Sequence, residues 1–107
     1  MKIYKGRRLK PERGTISHSV ATVVTVDSKP LKHHLRHSPD GFNWGYGGSG
    51  PADLAFSILW DLLGEEPDVS LYQEFKRHFV ANWKDNWEIN SKEIRDWIKE
   101  KGSDSSG

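Results

Sequence analysis

The chain changes hydrophobic period partway along, from alternation in its first third to recurrence every three to four residues afterwards. Val20 to Val26 is the clearest strand. Val20, Thr22, Val24 and Val26 fall on one face, Ala21, Val23 and Thr25 on the other, and nearly all are β-formers. Asp27-Ser28-Lys29-Pro30 is turn chemistry, which predicts a hairpin. Leu31 to His37 supplies the partner strand, with Leu31, His33, Leu35 and His37 alternating against Lys32, His34 and Arg36. Lys2 to Tyr4 reads as a further short strand, and Gly6 to Gly14 as a loop or an irregular edge with Pro11 and Gly14 as breakers.

Phe42, Trp44 and Tyr46 alternate with Asn43 and Gly45, leading into a glycine-rich run, Gly45 to Gly50. Pro51 sits where a first-turn proline belongs, behind a Ser49-Gly50 cap. The predicted helix Pro51 to Leu63 carries Leu54, Ala55, Ile58, Leu59 and Leu62 on one stripe and Phe56 and Trp60 on a second, as a central core helix does. Gly64 ends it. A second helix is predicted from Val69 to Trp83, where Leu71, Phe75, Phe79 and Trp83 recur every four residues. Trp87-Glu88-Ile89 is a short strand or bridge. Asn90 and Glu93 resemble a capping box opening a last helix, Ser91 to Lys101, which bears Ile94, Trp97 and Ile98. The expected fold is α+β: a small antiparallel sheet from the N-terminal half packed against three helices from the C-terminal half. Residues 1–101 form one domain in this reading, and 102–107, only Gly, Ser and Asp, a flexible tail. The expected core comprises Leu54, Ile58, Leu62, Phe75, Phe79, Ile94 and Trp97.

With 107 residues the chain is too short for the large sheets of an α/β hydrolase, a dinucleotide-binding dehydrogenase or a TIM barrel. The lack of cysteine excludes disulfides, thiol catalysis and zinc–thiolate sites. Its N-terminus is charged and no stretch approaches a membrane span, so a cytoplasmic protein with no membrane partner is expected. The net charge of +1 conceals an asymmetry. Residues 1–37 hold nine Lys and Arg against two carboxylates, a net of +7; the remainder, with seven basic and thirteen acidic residues, nets −6. That is the distribution of a basic face for an anionic partner, or of two halves that neutralise one another.

The run from Gly41 to Ala55, Gly-Phe-Asn-Trp-Gly-Tyr-Gly-Gly-Ser-Gly-Pro-Ala-Asp-Leu-Ala, resembles the signature of a family of short, uncharacterised bacterial and phage proteins. Tyr4 to Arg8, Val24 to Asp27, His37 to Gly41, Leu71 to Lys76, Trp87 and Ile94 to Trp97 are similar too, so the resemblance spans most of the chain. Ser28 departs from the glycine that the resemblance implies in the hairpin turn, which argues against a tight two-residue turn. The family brings no established activity. A phage or prophage setting is what the resemblance implies, and with it a regulatory or counter-defence role.

The glycine run exposes backbone N–H groups at a helix start, where phosphate or carboxylate can bind. Walker A requires Lys-Ser or Lys-Thr after its last glycine, whereas Pro51-Ala52 follow here, and there is no βαβ unit for a dinucleotide fingerprint. The alternative is a tight turn in which Phe42, Trp44 and Tyr46 simply pack. Gly47-Gly48-Ser49-Gly50-Pro51 falls one residue short of the Gly-x-Ser-x-Gly nucleophile elbow because Pro51 replaces the last glycine, which leaves Ser49 a helix cap. His33 and His37 on a strand stand about 13 Å apart, too far for one metal ion. His34, with Lys32 and Arg36, forms an outward basic row in this reading. No carboxylate pair argues for acid–base work. The expected function is therefore a non-enzymatic binding protein without cofactor or metal. Its expected ligand site comprises Trp44, Tyr46, Gly47, Gly48, Ser49 and Gly50 with Arg7, Arg8 and Arg36 as a phosphate clamp. The partner is a nucleotide-like anion or an acidic surface of a host or phage protein. A nucleic-acid-binding regulator using the basic half and an inhibitor acting by surface occlusion are the alternatives.

Overall fold

A computed structural model describes residues 1–9, 22–34 and 41–105. Among these described residues four strands form one antiparallel sheet: β1 (Ile3–Arg8), β2 (Thr22–Val26), β3 (Lys29–Pro30) and β4 (Asn86–Asn90), in the order β3-β2-β1-β4. The helices α1 (Ser49–Leu63), α2 (Val69–His78) and α3 (Ser91–Ser105) and a 3₁₀ turn at Val80–Asn82 accompany the sheet in an α+β fold. No helix among the described residues is long and apolar enough to cross a membrane.

β1 corrects the expectation of a loop or an irregular edge from Gly6 onward. It runs to Arg8 as a central strand, pairing Tyr4 with Val26 and Ile89, and Gly6 with Val24 and Trp87. Alternation along it sends Tyr4 and Gly6 inward and leaves Lys5 and Arg7 exposed on the opposite face. Gly6 breaks the propensity pattern because Trp87 occupies the space a side chain would need: a β-carbon there would come within 2.3 Å of the indole. The fourth strand confirms the reading at Trp87-Glu88-Ile89 and brings a C-terminal segment into the sheet.

The hairpin differs in two ways. Its partner strand is only Lys29–Pro30, and Leu31 to His34 is irregular. Two side chains of α1 capture this segment. The His34 backbone N–H donates to Ser57 Oγ (2.9 Å), and His33 Nε2 lies 2.9 Å from Asp53 Oδ2. Val20, Ala21 and residues 35–40 lie outside the described residues. The turn itself is tight, with Asp27 and Ser28 both at positive φ (50° and 69°), as a two-residue hairpin requires, despite the absent glycine. Asp27 is held there by backbone and side-chain hydrogen bonds with Ile3. Pro30 is tolerated at the sheet edge, where no ladder donor is needed.

α1 starts two residues earlier than its sequence implies. Gly48 is its N-cap, so Ser49 is the first helical residue rather than the cap. Gly64 closes it at positive φ and donates to the Trp60 carbonyl. Every residue from Gly50 to Leu59 is buried, including Asp53 and Ser57. α2 ends at His78, short of Trp83, where the Asn82 amide donates to the Arg77 and His78 carbonyls and turns the chain into the 3₁₀ segment. Asn90 and Glu93 form the capping pair: the Glu93 N–H donates to Asn90 Oδ1 (2.8 Å) and Asn90 Nδ2 to Glu93 Oε1 (2.9 Å). α3 continues beyond Gly102, where closure was expected, to Ser105.

Leu54, Ile58, Leu62, Phe75 and Ile94 are buried as expected, while Phe79 and Trp97 are half-buried. Tyr4, Trp44, Val24, Trp87 and Ile89 join them, so one core links the inner face of the sheet to the helices.

Candidate binding surfaces

The glycine run is organised by two anchored aromatic residues. Trp44 is fully buried, donates from Nε1 to the Lys84 carbonyl (2.6 Å) and meets Trp87 edge-on. It cannot stack on a ligand. Tyr46 is about half exposed (48%), and its ring sits over the start of α1. A β-carbon at Gly48 would lie 2.7 Å from this ring, and one at Gly50 would lie 3.2 Å from the hydroxyl. Within the run only Gly45 has positive φ. Gly48 is therefore a glycine because Tyr46 folds across it, whereas at Gly50 the closest obstacle is Asn43, whose β-carbon would lie 2.9 Å away. Gly47 is open on its β-carbon side and Ser49 is exposed.

Arg8 is a staple. Its Nη1 donates to Asp85 Oδ1 (2.8 Å), and its Nη2 to Asn43 Oδ1 (3.1 Å) and the Trp44 carbonyl (2.5 Å). The guanidinium carbon lies 5.0 Å from the Trp44 ring centroid. Arg7, one residue away, points to the other side of the sheet. Alternation of β1 thus separates two members of the expected clamp, and Arg36 lies outside the described residues. Trp44, Tyr46 and Arg8 do come together. With Gly45, Ala81, Asn82, Trp83, Lys84 and Asp85 they line a hollow of about 500 Å³ beside the glycine run. No periodic signal marks Trp83, Lys84 and Asp85 for this role; they follow α2 and reach the hollow through the 3₁₀ turn.

The outer face of the sheet forms a second depression of about 620 Å³, where Lys5, Arg7, Val23, Thr25, Ser28, Asn86 and Glu88 converge. Lys5 lies across from Thr25 and Glu88 and makes a 3.5 Å ion pair with Glu88. Arg7 lies across from Val23 and Asn86, and no carboxylate among the described residues pairs with it. His34 does not join this face. Its ring stacks on Trp60 (4.0 Å between centroids), and burial, followed by the nearby Lys32 charge, lowers its pKa below the ordinary imidazole value.

A polar stripe runs along α1 at Asp53, Ser57 and Asp61, spaced four residues apart, the first two buried and Asp61 partly exposed. Asp53 holds His33 and Ser57 holds the His34 backbone, as above. Asp61 accepts from the Tyr4 hydroxyl (2.7 Å) and from Lys2 Nζ (3.0 Å). Burial and the Asp61 carboxylate push the Tyr4 pKa well above its usual value. These contacts fasten α1 to both ends of the N-terminal segment. Among the described residues no group of three or more His, Asp or Glu side chains is arranged to hold a metal ion.

The molecule is thus a small α+β domain with a hollow beside a glycine-rich helix start and a cationic outer sheet face. Residues 4–100 match a family of unknown function, DUF6166, and the chain belongs to that family. No curated protein and no solved structure matches it.

Proposed function

We propose that this protein acts by occupancy rather than catalysis, using the cationic outer face of its sheet to engage the acidic surface of a macromolecular partner. The observation that supports this reading is Arg7: an exposed guanidinium on a strand, flanked by Val23 and Asn86 and lacking a carboxylate partner among the described residues. An unpaired guanidinium can accept a carboxylate or phosphate bidentately without first breaking an internal ion pair. The neighbouring Lys5–Glu88 pair is exposed and weak, so Lys5 can exchange partners at little cost. Covering a partner's acidic surface is how a small blocking factor works, and counter-defence in a phage setting is the role we assign to it.

Retention on heparin-agarose, a generic polyanion, tests the face. Wild type is expected to elute at clearly higher salt than Arg7→Glu, since each neutralised contact adds to the salt dependence. Melting curves on both proteins check that the fold is retained. Equal elution with equal melting removes the outer face from the contact surface.

A further inference from the structure

The hollow beside the glycine run is a separate site, on the side of β1 toward which Arg8 points, and the outer-face reading makes no use of it. Its lining combines three chemistries. Trp83 stacks one face on Trp87 (3.9 Å between centroids, 15° between planes) and remains partly exposed. Tyr46 contributes a second accessible ring. Lys84 is exposed, and no carboxylate among the described residues pairs with it. Arg8 adds a cation already fixed by three hydrogen bonds, and Asp85, 79% exposed at its side chain, offsets only part of this charge. The Trp44 indole holds the Lys84 carbonyl and the Gly45 N–H donates to the Val80 carbonyl, so the two sides of the hollow are tied together before any ligand arrives.

From these features we infer that the hollow binds a nucleoside monophosphate. Its volume of about 500 Å³ falls within the usual range for small-ligand sites. Partly exposed aromatic rings favour a planar base, because every base presents a π-face. Lys84 supplies the charge for the phosphate, with Arg8 reinforcing the positive potential from a fixed position. Asp85, as an acceptor, suits a base amino group or a ribose hydroxyl. Tyr46 already covers the start of α1, so the phosphate is assigned to Lys84 and not to the helix N-terminus.

Protein-observed NMR with AMP, GMP, CMP and UMP at millimolar concentration tests the inference, with adenosine and ribose 5-phosphate as half-ligands. At least one nucleotide is expected to shift the amides of Gly45, Tyr46, Trp83, Lys84 and Asp85 in a saturable way, and each half-ligand to bind more weakly. Lys84→Ala, an exposed change that leaves the fold intact, should weaken the nucleotide by about tenfold or more, the scale of one charged hydrogen bond. Trp83→Leu should do likewise. Because that change also disturbs the stack on Trp87, Tyr46→Leu provides a second aromatic probe. No shift with any of the four nucleotides, shifts confined to other residues, or affinity unaltered in Lys84→Ala would each overturn the proposal. Heparin retention of Lys84→Ala and nucleotide binding by Arg7→Glu keep the two surfaces distinguishable.

Discussion

The indole of Trp87 lies over the α-carbon of its cross-strand neighbour Gly6, so close that a β-carbon on Gly6 would fall within 2.3 Å of the ring. The ring cannot yield easily, since it is stacked on Trp83 and set edge-on against Trp44. Gly6→Ala should therefore destabilise the fold by about 1–3 kcal/mol, the usual cost of overpacking, despite alanine's better backbone entropy. A urea-unfolding cycle with Trp87→Leu checks the cause. The double variant should lose less than the sum of the two singles, because the smaller side chain leaves room for the alanine methyl.

Ile58 is fully buried at the middle of α1. Ile58→Ala removes buried apolar surface and leaves a cavity among Leu54, Leu59 and their neighbours, at an expected cost of about 2–5 kcal/mol. Leu63, on the same helix but 36% exposed, gives the comparison: Leu63→Ala should cost less than about 1 kcal/mol. Thermal or urea melts of the two variants side by side decide whether α1 is the central helix.

These contrasts show what the sequence carried. The helices were legible because Leu54, Ile58 and Leu62, or Leu71 and Phe75, repeat at helical spacing and face one core. β1 was not, because Gly6 reads as a breaker until Trp87, eighty-one residues later, is seen to fill its place. Leu31 to His37 alternates as a strand should, yet hydrogen bonding from Asp53 and Ser57 outweighs that pattern over Leu31 to His34. The glycine run was visible as a candidate site, but Gly48 is required by a fold-back of Tyr46 and Gly50 by the approach of Asn43, and no spacing rule encodes either. The separation of Arg7 from Arg8 follows directly once β1 is known to extend through both.

Tyr4 predicts an alkaline limb in the stability profile. Its hydroxyl is buried and bonded to Asp61, which raises its pKa in the folded state above the unfolded value near 10. A group with a raised folded-state pKa contributes its full stability below the unfolded value and loses it as pH climbs above that point. Wild type should therefore lose stability above pH 10, with a limiting slope of about 1.4 kcal/mol per pH unit for one proton. Tyr4→Phe should lower stability at neutral pH but flatten this limb. Urea midpoints for both proteins between pH 8 and 11 measure the difference. Parallel curves would mean that another group causes the alkaline loss.

Arg8 ties the glycine run to the turn before β4, and its three acceptors do not contribute equally. Asp85 is 79% exposed at its side chain, so the ion pair is screened by water and salt. Asn43 Oδ1 and the Trp44 carbonyl are partly buried; Asn43 Oδ1 keeps the Trp44 N–H as a donor, but the Trp44 carbonyl would lose its side-chain donor where water reaches it poorly. Lysine keeps the charge but not the planar fork that serves these acceptors at once. Arg8→Lys should therefore cost about 1–3 kcal/mol, whereas Asp85→Asn should fall within about 0.5 kcal/mol of wild type. Urea unfolding at low and high salt separates the two contributions. The Arg8→Lys loss should persist in high salt, because it comes from the poorly hydrated Trp44 carbonyl rather than from a surface charge pair. A loss of equal size in Asp85→Asn, vanishing in salt, would instead identify the ion pair as the fastening of the glycine run.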